Sequence, residues 1–442
     1  MSKPGDMVLN KGVGFNRRSV LKGGAGALAL LAATRAQFPS GAFAQAAGPE
    51  VKGTTLGYIA LTDASPLIIA QEKGLFAKYG LTEMNIAKQA SWGATRDNIE
   101  LGAGSGGIDG AHILTPMPYL ISTGKITKGN VKIPMSMLAR LNTNGQSISV
   151  SKTYANMGVT TNAKTLGAAF KKAKADGKEI KCAVTFPGGT HDMWMRYWLA
   201  ANGIDPEKDV STITVPPPQM VANMKVNTME AFCVGEPWNS QLVHQGIGFT
   251  ALVTGELWKD HPEKSLSIRA DWVEKNPKAT KAIIMAVQEA QMWSDKPENK
   301  KELCTIVGGR DWFKVPVEDI LDRQSGEIDY GDAGRKVKVG LDSPLVMKFW
   351  RDFASYPYQS HDLWFLTENI RWGYLPADTD TKALIAQVNR EDLWRDAAKS
   401  LGVAAAEIPT STSRGKETFF DGKVFDPANP AAYLKSLGIT RV

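Results

Sequence analysis

Side chains that donate hydrogen bonds recur where a predicted strand gives way to a predicted helix. In chain order they are Trp92 and Gly93 in "QASWGATRD", Thr115 in "HILTPMP", and Gly189, Thr190 and His191 in "PGGTHD". Helix N-termini present unpaired backbone N–H groups and a partial positive charge, so they attract anions. Indole and imidazole rings add further N–H donors. This combination is typical of a site for a small oxyanion.

Each candidate also has a purely structural explanation. Trp92 could be a core aromatic residue, and Thr115, which precedes Pro116, could do no more than cap a helix. His191 could cap its own helix or donate to a backbone carbonyl. The recurrence of donors favours a binding site, because ligands of open α/β folds collect beyond the carboxyl ends of the strands.

Alternating strand-like and helix-like segments position these junctions. "TTLGYIAL", "MNIAKQA" and "IDGAHILT" read as strands, and "SPLIIAQEKGLFAKYG" reads as a single helix closed by Gly80. "ISVSK", "KCAVTF", "STITVPPP" and "AFCVGE" continue the series, and from about residue 275 the chain is mostly helical. Repeated βα units predict an α/β fold with largely parallel sheets. The length favours two lobes.

The N-terminal segment has the pattern of an export signal. "NRRSVLK" contains Arg17 and Arg18, and the apolar run that follows is too short to span a bilayer. An A-x-A site at Ala44 and Ala46 predicts that residues 1–46 are a twin-arginine signal, removed on export. The alternative is an amphipathic disordered tail. We therefore expect a soluble periplasmic protein that engages the twin-arginine machinery.

The basic character of the chain comes mainly from this segment. The full chain has 52 Lys and Arg against 45 Asp and Glu, a net charge of +7. Residues 1–46 contribute +5 of this total, so the remaining chain carries about +2. A nucleic-acid partner is therefore not expected.

The sequence lacks the common signatures of catalysis. It contains no G-x-S-x-G, no H-E-x-x-H and no P-loop, and "GAGSGG" at 102–107 reads as a turn after a helix. The cysteines Cys182, Cys233 and Cys304 form no metal-ligand pattern and at most one disulfide, and those in apolar strands are expected to be buried thiols. The sequence thus favours a binding protein over an enzyme, with no cofactor and no metal.

Several long motifs resemble the nitrate/bicarbonate-binding proteins of ABC importers. They are "LTDASPLIIAQEKGLFAKYGL", "QASWGATRDNIELG", "GIDGAHILTPMPYLIS", "ARLNTNGQSISV", "FPGGTHDMWMRYWLAANGIDP", "AFCVGEPWN" and "HPEKSLSIRADWVEKNP". The resemblance implies a periplasmic-binding-protein fold of the second type, in which two α/β lobes close on one anion. It further implies lobe 1 at 47–146 and 245–442, with a helical C-terminal part, and lobe 2 at 147–244.

The resemblance also implies which residues bind the anion. The family's ligand contacts fall on Trp92, Gly93, Gln146, His191 and Lys264, and "VGEPWN" suggests that Glu236 and Trp238 help form the closed cleft. Taken alone, Lys264 is typical of a solvated helix lysine. One departure is that family members can carry a lipid-modified cysteine at the mature N-terminus, which this chain lacks.

The expected function is capture of nitrate, or nitrite, for a membrane permease driven by an ATPase. Nitrate accepts hydrogen bonds only, and none of the matched positions is acidic, which favours nitrate over bicarbonate. The alternatives are a family member that binds bicarbonate or another small anion, a nitrate-sensing input protein, and an enzyme on the same fold.

Overall fold

A computed structural model of the chain describes residues 48–441. The predicted export signal, residues 1–46, lies outside the described residues. The chain from Pro49 onward forms one compact unit. The strands are β1 Thr55–Tyr58, β2 Asn85–Lys88, β3 Gly110–Leu114, β4 Met135–Arg140, β5 Gln146–Ser151, β6 Lys181–Val184, β7 Ser211–Thr214, β8 Ala231–Gly235, β9 Gly248–Val253, β10 Lys264–Arg269, β11 Glu327–Asp329, β12 Lys336–Lys338, β13 Glu417–Thr418 and β14 Val424–Phe425.

Helices pack against these strands along the whole described chain. They are α1 Ser65–Glu72, α2 Leu75–Lys78, α3 Trp92–Leu101, α4 Met117–Ser122, α5 Lys164–Ala175, α6 Thr190–Ala201, α7 Met220–Lys225, α8 Trp238–His244, α9 Ala270–Lys275, α10 Pro277–Ser294, α11 Lys300–Gly308, α12 Glu318–Gln324, α13 Gln359–Arg371, α14 Thr381–Val388, α15 Glu391–Ser400 and α16 Pro430–Lys435. Among residues 48–441, none of them is long and apolar enough to cross a bilayer.

Two five-stranded sheets share one topology. The first has the order β2-β1-β3-β10-β4 and the second β7-β6-β8-β5-β9. In each, the first three strands are parallel, and the last two continue the sheet in antiparallel pairing. The α/β class is confirmed, but the sheets are mixed instead of largely parallel. The reason is that β10 and β5 enter their sheets after the chain has crossed from the other one.

We call the elements around each sheet the first and the second lobe. Two chain segments connect the strands of one five-stranded sheet to those of the other, residues 141–145 between β4 and β5 and residues 254–263 between β9 and β10. The segments run side by side, with hydrogen bonds from the amide of Asn144 to the carbonyl of His261 and from that of Glu263 to the carbonyl of Asn142. These crossings therefore form a paired connection between the two sheets.

The second lobe reaches further along the chain than the range 147–244 that we predicted for it. Strand β9 follows residue 244 and pairs with β5, because its apolar side chains complete the second sheet. The C-terminal part also belongs to both lobes, since Trp364 and Tyr433 lie in the second core whereas Trp394 lies in the first.

Glycines end helices that the hydrophobic periodicity alone predicts to continue. The helix predicted for residues 65–80 is two helices, because Gly74 adopts a left-handed backbone with φ of +67° between α1 and α2. The segment "GAGSGG" is a short 3-10 turn after α3, as expected. The three cysteines are buried free thiols.

Candidate functional site

The predicted ligand residues come from both lobes and meet between them. Trp92 opens α3, with Ser91 as the cap whose Oγ accepts from the Ala94 amide at 3.1 Å. His191 lies in the first turn of α6, capped by Gly189. Gln146 and Lys264 are the first residues of β5 and β10, so each follows one of the two crossings between lobes.

Gln146, His191 and Lys264 are in direct contact and fully buried. His191 Nε2 lies 2.7 Å from Gln146 Oε1, and Lys264 Nζ lies 3.3 Å from the same oxygen. Because Gln146 Nε2 donates to the Asp63 carboxylate at 3.0 Å, its Oε1 must accept, so His191 carries its proton on Nε2. The other ring nitrogen then accepts from the Thr185 hydroxyl at 2.5 Å.

Two carboxylates complete this cluster. Lys264 Nζ lies 3.0 Å from Asp63 Oδ2 and 2.8 Å from Glu263 Oε1, and all three side chains are fully buried. Asp63 Oδ1 also lies 2.5 Å from His112 Nε2. None of the matched positions is acidic, but the neighbouring residues Asp63 and Glu263 supply the counter-charges of Lys264.

Burial and these contacts shift the ionisation of the cluster. Burial raises the pKa of Asp63, but Lys264 and His112 outweigh it and hold that pKa below its ordinary value. Burial lowers the pKa of Lys264, and the two carboxylates more than reverse this. Lys264 and Asp63 are therefore charged near neutral pH, and the pair they form is neutral overall.

The histidines around the cluster behave differently. Burial, reinforced by Lys264, holds the pKa of His191 well below its ordinary value, so this ring is neutral and offers a single N–H. Burial also lowers the pKa of His112 and that of His261, the latter to about 3. For Glu263, burial outweighs Lys264 and raises the pKa.

Trp92 borders the cluster with a free donor. Its indole Nε1 is buried without a hydrogen-bond partner among the described residues. The Lys264 Nζ lies 5.9 Å from the centre of the ring, and the His112 ring packs 5.3 Å away. Gly93 follows it in the first turn of α3 and is half-buried.

Glu263 organises the surrounding residues. Its carboxylate accepts from the hydroxyl of Thr190 and, at 2.7 Å, from the indole of Trp194. Its backbone carbonyl accepts from Thr115 Oγ1 at 2.8 Å. Thr190 and Thr115 thus hold Glu263 in position, and neither donates its hydroxyl directly to Lys264.

The remaining candidates join the two lobes. Trp238 donates its indole N–H to the Ala60 carbonyl at 3.0 Å, across the cleft. A Cβ on Gly189 would lie 2.6 Å from Leu114 Cδ1, so this glycine lets α6 approach the first sheet. The Glu236 carboxylate, in contrast, is turned to Arg323 at 2.7 Å and to Ser147 at 3.0 Å. Only its main chain reaches the cleft, by accepting from the Thr62 amide at 2.7 Å.

Asp63, His112, Glu263 and Trp194 were not selected from the sequence. Asp63 lies beyond the carboxyl end of β1, the same kind of junction that identified Trp92 and His191, so that rule could have found it. Glu263 is adjacent to Lys264, but its contacts with α6 depend on the approach of the lobes. Within residues 48–441, no group of three or more His, Cys, Asp or Glu side chains is placed to hold a metal ion.

Comparison with known proteins identifies the family to which this chain belongs. A sequence profile of the NMT1-like family matches residues 47–308. The chain belongs to the NMT1-like family. Within it, the chain is 63% identical over 389 residues to the nitrate/nitrite binding protein NrtA of Synechococcus elongatus, covering 88% of this chain and 87% of that protein.

Two further similar proteins have different ligands in their names, bicarbonate and nitrate. The bicarbonate-binding protein CmpA of Synechococcus elongatus is 46% identical over 398 residues, covering 89% of this chain and 88% of that one. The crystal structure of the periplasmic nitrate-binding protein NrtA from Synechocystis PCC 6803 aligns with a TM-score of 0.86 at 61% identity, covering 89% of this chain and all of that one. The expected family and fold of a periplasmic binding protein are confirmed.

Proposed function

We propose that this chain is the solute-binding protein of an ABC importer that captures nitrate, with nitrite as a close second. The observation that carries the proposal is the buried cluster between the lobes, in which Lys264 and His191 converge beside the N–H of Trp92, which has no partner within residues 48–441. The higher identity to a nitrate/nitrite binding protein than to a bicarbonate-binding protein supports the same ligand.

The donors suit an anion that only accepts hydrogen bonds. The N–H of Trp92 can donate to a nitrate oxygen directly. Rotation of the Gln146 amide away from Asp63 would present its own N–H to the ligand and would release the N–H of His191 and one of Lys264 from Gln146 Oε1, so that these could donate as well. Hydrogen bonds to a charged group contribute about 1.5 to 3 kcal/mol each. A few of them supply the roughly 8 kcal/mol that micromolar binding requires.

Binding, and not catalysis, is the proposed activity. The chain would then deliver its ligand to a membrane permease and, through it, to an ATPase. We further propose that residues 1–46 direct export through the twin-arginine machinery and that the mature protein is periplasmic. Replacing Arg17 and Arg18 by lysine should leave the precursor in the cytoplasm, and normal export of that variant would refute this part.

Bicarbonate is the second candidate, and one observation favours it. Its hydroxyl requires an acceptor, and Asp63 and Glu263 place carboxylate oxygens within 3.0 Å and 2.8 Å of Lys264 Nζ. The matched positions still lack an acidic residue, and the relative that binds bicarbonate is the more distant one.

Calorimetric titration decides between the two ligands. We expect the mature protein to bind nitrate more tightly than bicarbonate, with or without added calcium. Lys264→Gln should abolish nitrate binding, since it removes the charge beside the ligand. The matched control is Lys300→Gln, which replaces another buried lysine, 3.6 Å from Asp295 and outside the cluster, and should keep nitrate binding. Tighter binding of bicarbonate by the parent would reject the proposed ligand.

A further inference from the structure

We propose that Asp63 determines the charge selectivity of the site: as the built-in counter-ion of Lys264, it restricts bound anions to a single negative charge. This inference rests on the proposed function. Asp63 would not itself need to touch the anion, because a buried charge acts on its neighbours through space.

The position of Asp63 makes it the electrostatic centre of the cluster. Its Oδ2 lies 3.0 Å from Lys264 Nζ and 3.0 Å from Gln146 Nε2, and its Oδ1 lies 2.5 Å from His112 Nε2. A Cβ on Gly235 would lie 3.1 Å from Oδ2, so the backbone of β8 closes the remaining side. The carboxylate is therefore fully buried between residues of both lobes, where charges interact strongly.

The charge balance of the cluster follows from these contacts. Lys264 and Asp63 neutralise each other, and the adjoining rings of His112, His191 and His261 are uncharged because burial lowers the pKa of each. Glu263 adds no positive charge in either ionisation state. Nitrate then adds one negative charge to a buried cluster with no surplus cation, and a divalent anion adds two.

Replacement of Asp63 by Asn shifts this balance by one charge with little change in shape. The amide oxygen of Asn can accept from Lys264, and its N–H can donate to the neutral His112. A variant cluster that holds sulfate has the same net charge as the parent cluster that holds nitrate. Removal of the Asp63 charge relieves twice as much electrostatic repulsion for a divalent anion as for a monovalent one. Any displacement of Lys264 in the variant, in contrast, weakens the binding of both anions.

The test is a titration of the parent, Asp63→Asn and Asp63→Ser with nitrate and with sulfate. The measured quantity is the ratio of the sulfate to the nitrate dissociation constant, which we expect to fall by about 10-fold or more in both neutral variants. Asp63→Ser removes the same charge from a smaller side chain, so it provides a second measurement if the amide variant does not fold. Asp271→Asn is the control, since it removes an exposed carboxylate, paired with Arg269, and should leave the ratio unchanged.

Three outcomes would overturn the inference. A variant that binds nitrate more weakly with an unchanged ratio would give Asp63 only a positioning role. A parent that binds sulfate as tightly as nitrate would show that no charge selectivity exists. An equal shift in Asp271→Asn would assign the effect to overall charge. If the parent prefers bicarbonate to nitrate, the proposed ligand is wrong, but the ratio measured against bicarbonate still tests Asp63.

Discussion

The Lys264 ammonium lies 5.9 Å from the centre of the Trp92 ring, whose indole N–H has no partner among the described residues. A cation and a buried free donor thus lie next to each other between the lobes. Buried polar groups in proteins are nearly always hydrogen-bonded, so a donor of this kind is expected to serve a ligand.

Trp92→Phe should therefore weaken nitrate binding without breaking any hydrogen bond of the described fold. The free energy of unfolding should fall only by the packing that is lost with the smaller phenyl ring. The lost donor should cost about 1.5 to 3 kcal/mol of binding, tenfold or more in affinity. Calorimetry and urea unfolding measure the two quantities.

Trp194→Phe is the matched control for that experiment. Its indole donates to Glu263 Oε2 at 2.7 Å, so its removal leaves a buried carboxylate oxygen without this donor. We expect the free energy of unfolding to fall by about 1 to 3 kcal/mol more than in Trp92→Phe, because both variants lose ring packing but only this one loses a hydrogen bond. If Trp92→Phe proves the more destabilising of the two, the indole of Trp92 has a structural partner after all.

Gly235→Ala should disrupt the site by crowding. A Cβ at this position would lie 2.6 Å from Gln146 Oε1, closer than atoms normally approach, so the amide of Gln146 must move. We expect a loss of nitrate affinity and a destabilisation of about 1 to 3 kcal/mol from overpacking. Gly340→Ala, where nothing lies within 4 Å, should have neither effect. Unchanged affinity in Gly235→Ala would mean that Gln146 does not hold the ligand.

Acid should destabilise the protein through its buried histidines. Burial, reinforced by Arg414, lowers the pKa of His361 from 6.5 to about 3. As the pH falls below about 6.5, the unfolded chain therefore binds a proton that the folded chain does not, and stability is lost until the folded pKa is reached. His261, whose pKa burial also lowers to about 3, adds to the same loss.

His361→Gln isolates one of these contributions. Between about pH 6 and pH 5, the variant should lose stability less steeply than the parent, by up to about 1.4 kcal/mol per pH unit. Urea unfolding at several pH values measures the slope. Near pH 8 the two proteins should show the same slope, because histidine is neutral there in both states. Equal slopes over the acidic range would show that the ring of His361 takes up its proton in the folded protein.

The lobes should close on the ligand about the two paired crossings. Small-angle scattering should give a smaller radius of gyration with saturating nitrate than without it. Trp238→Phe removes the hydrogen bond from the indole to the Ala60 carbonyl across the cleft, so the ligand-free variant should be more open than the parent. Trp198→Phe is the control, because its indole binds the Thr160 carbonyl at 3.0 Å within the second lobe. An identical radius in all samples would indicate a preformed site.

Local sequence patterns predicted the parallel strands and the junctions of the first half because both depend on neighbouring residues. The antiparallel pairing of β5 was not predicted, and β10 was not recognised as a strand, since the position of each depends on a crossing that no short-range pattern records. Lys264 shows the same limit. Taken alone it resembles a solvated lysine, yet it opens β10 fully buried between Asp63 and Glu263. Its selection depended on resemblance to a family.

The two interpretations of Trp92, as a core aromatic residue and as a hydrogen-bond donor to a ligand, do not exclude each other. Its ring is buried in the core, as the structural alternative required, and its N–H remains available, as a binding site requires. Sequence patterns place a side chain at a junction, but the partner of each polar atom is decided by the meeting of distant segments. For that reason the contact of Asp63 with Lys264, some 200 residues away in the chain, was not predicted.

The division of the C-terminal part between the two cores has a consequence for biosynthesis. Phe425 and Tyr433 pack in the second core with Val150 and Trp198. Domains usually fold in order as the ribosome produces them, but here the second lobe lacks part of its interior until the last few residues have been made. The second core can therefore be completed only when the chain has reached nearly full length, and until then part of its apolar surface lacks its native covering.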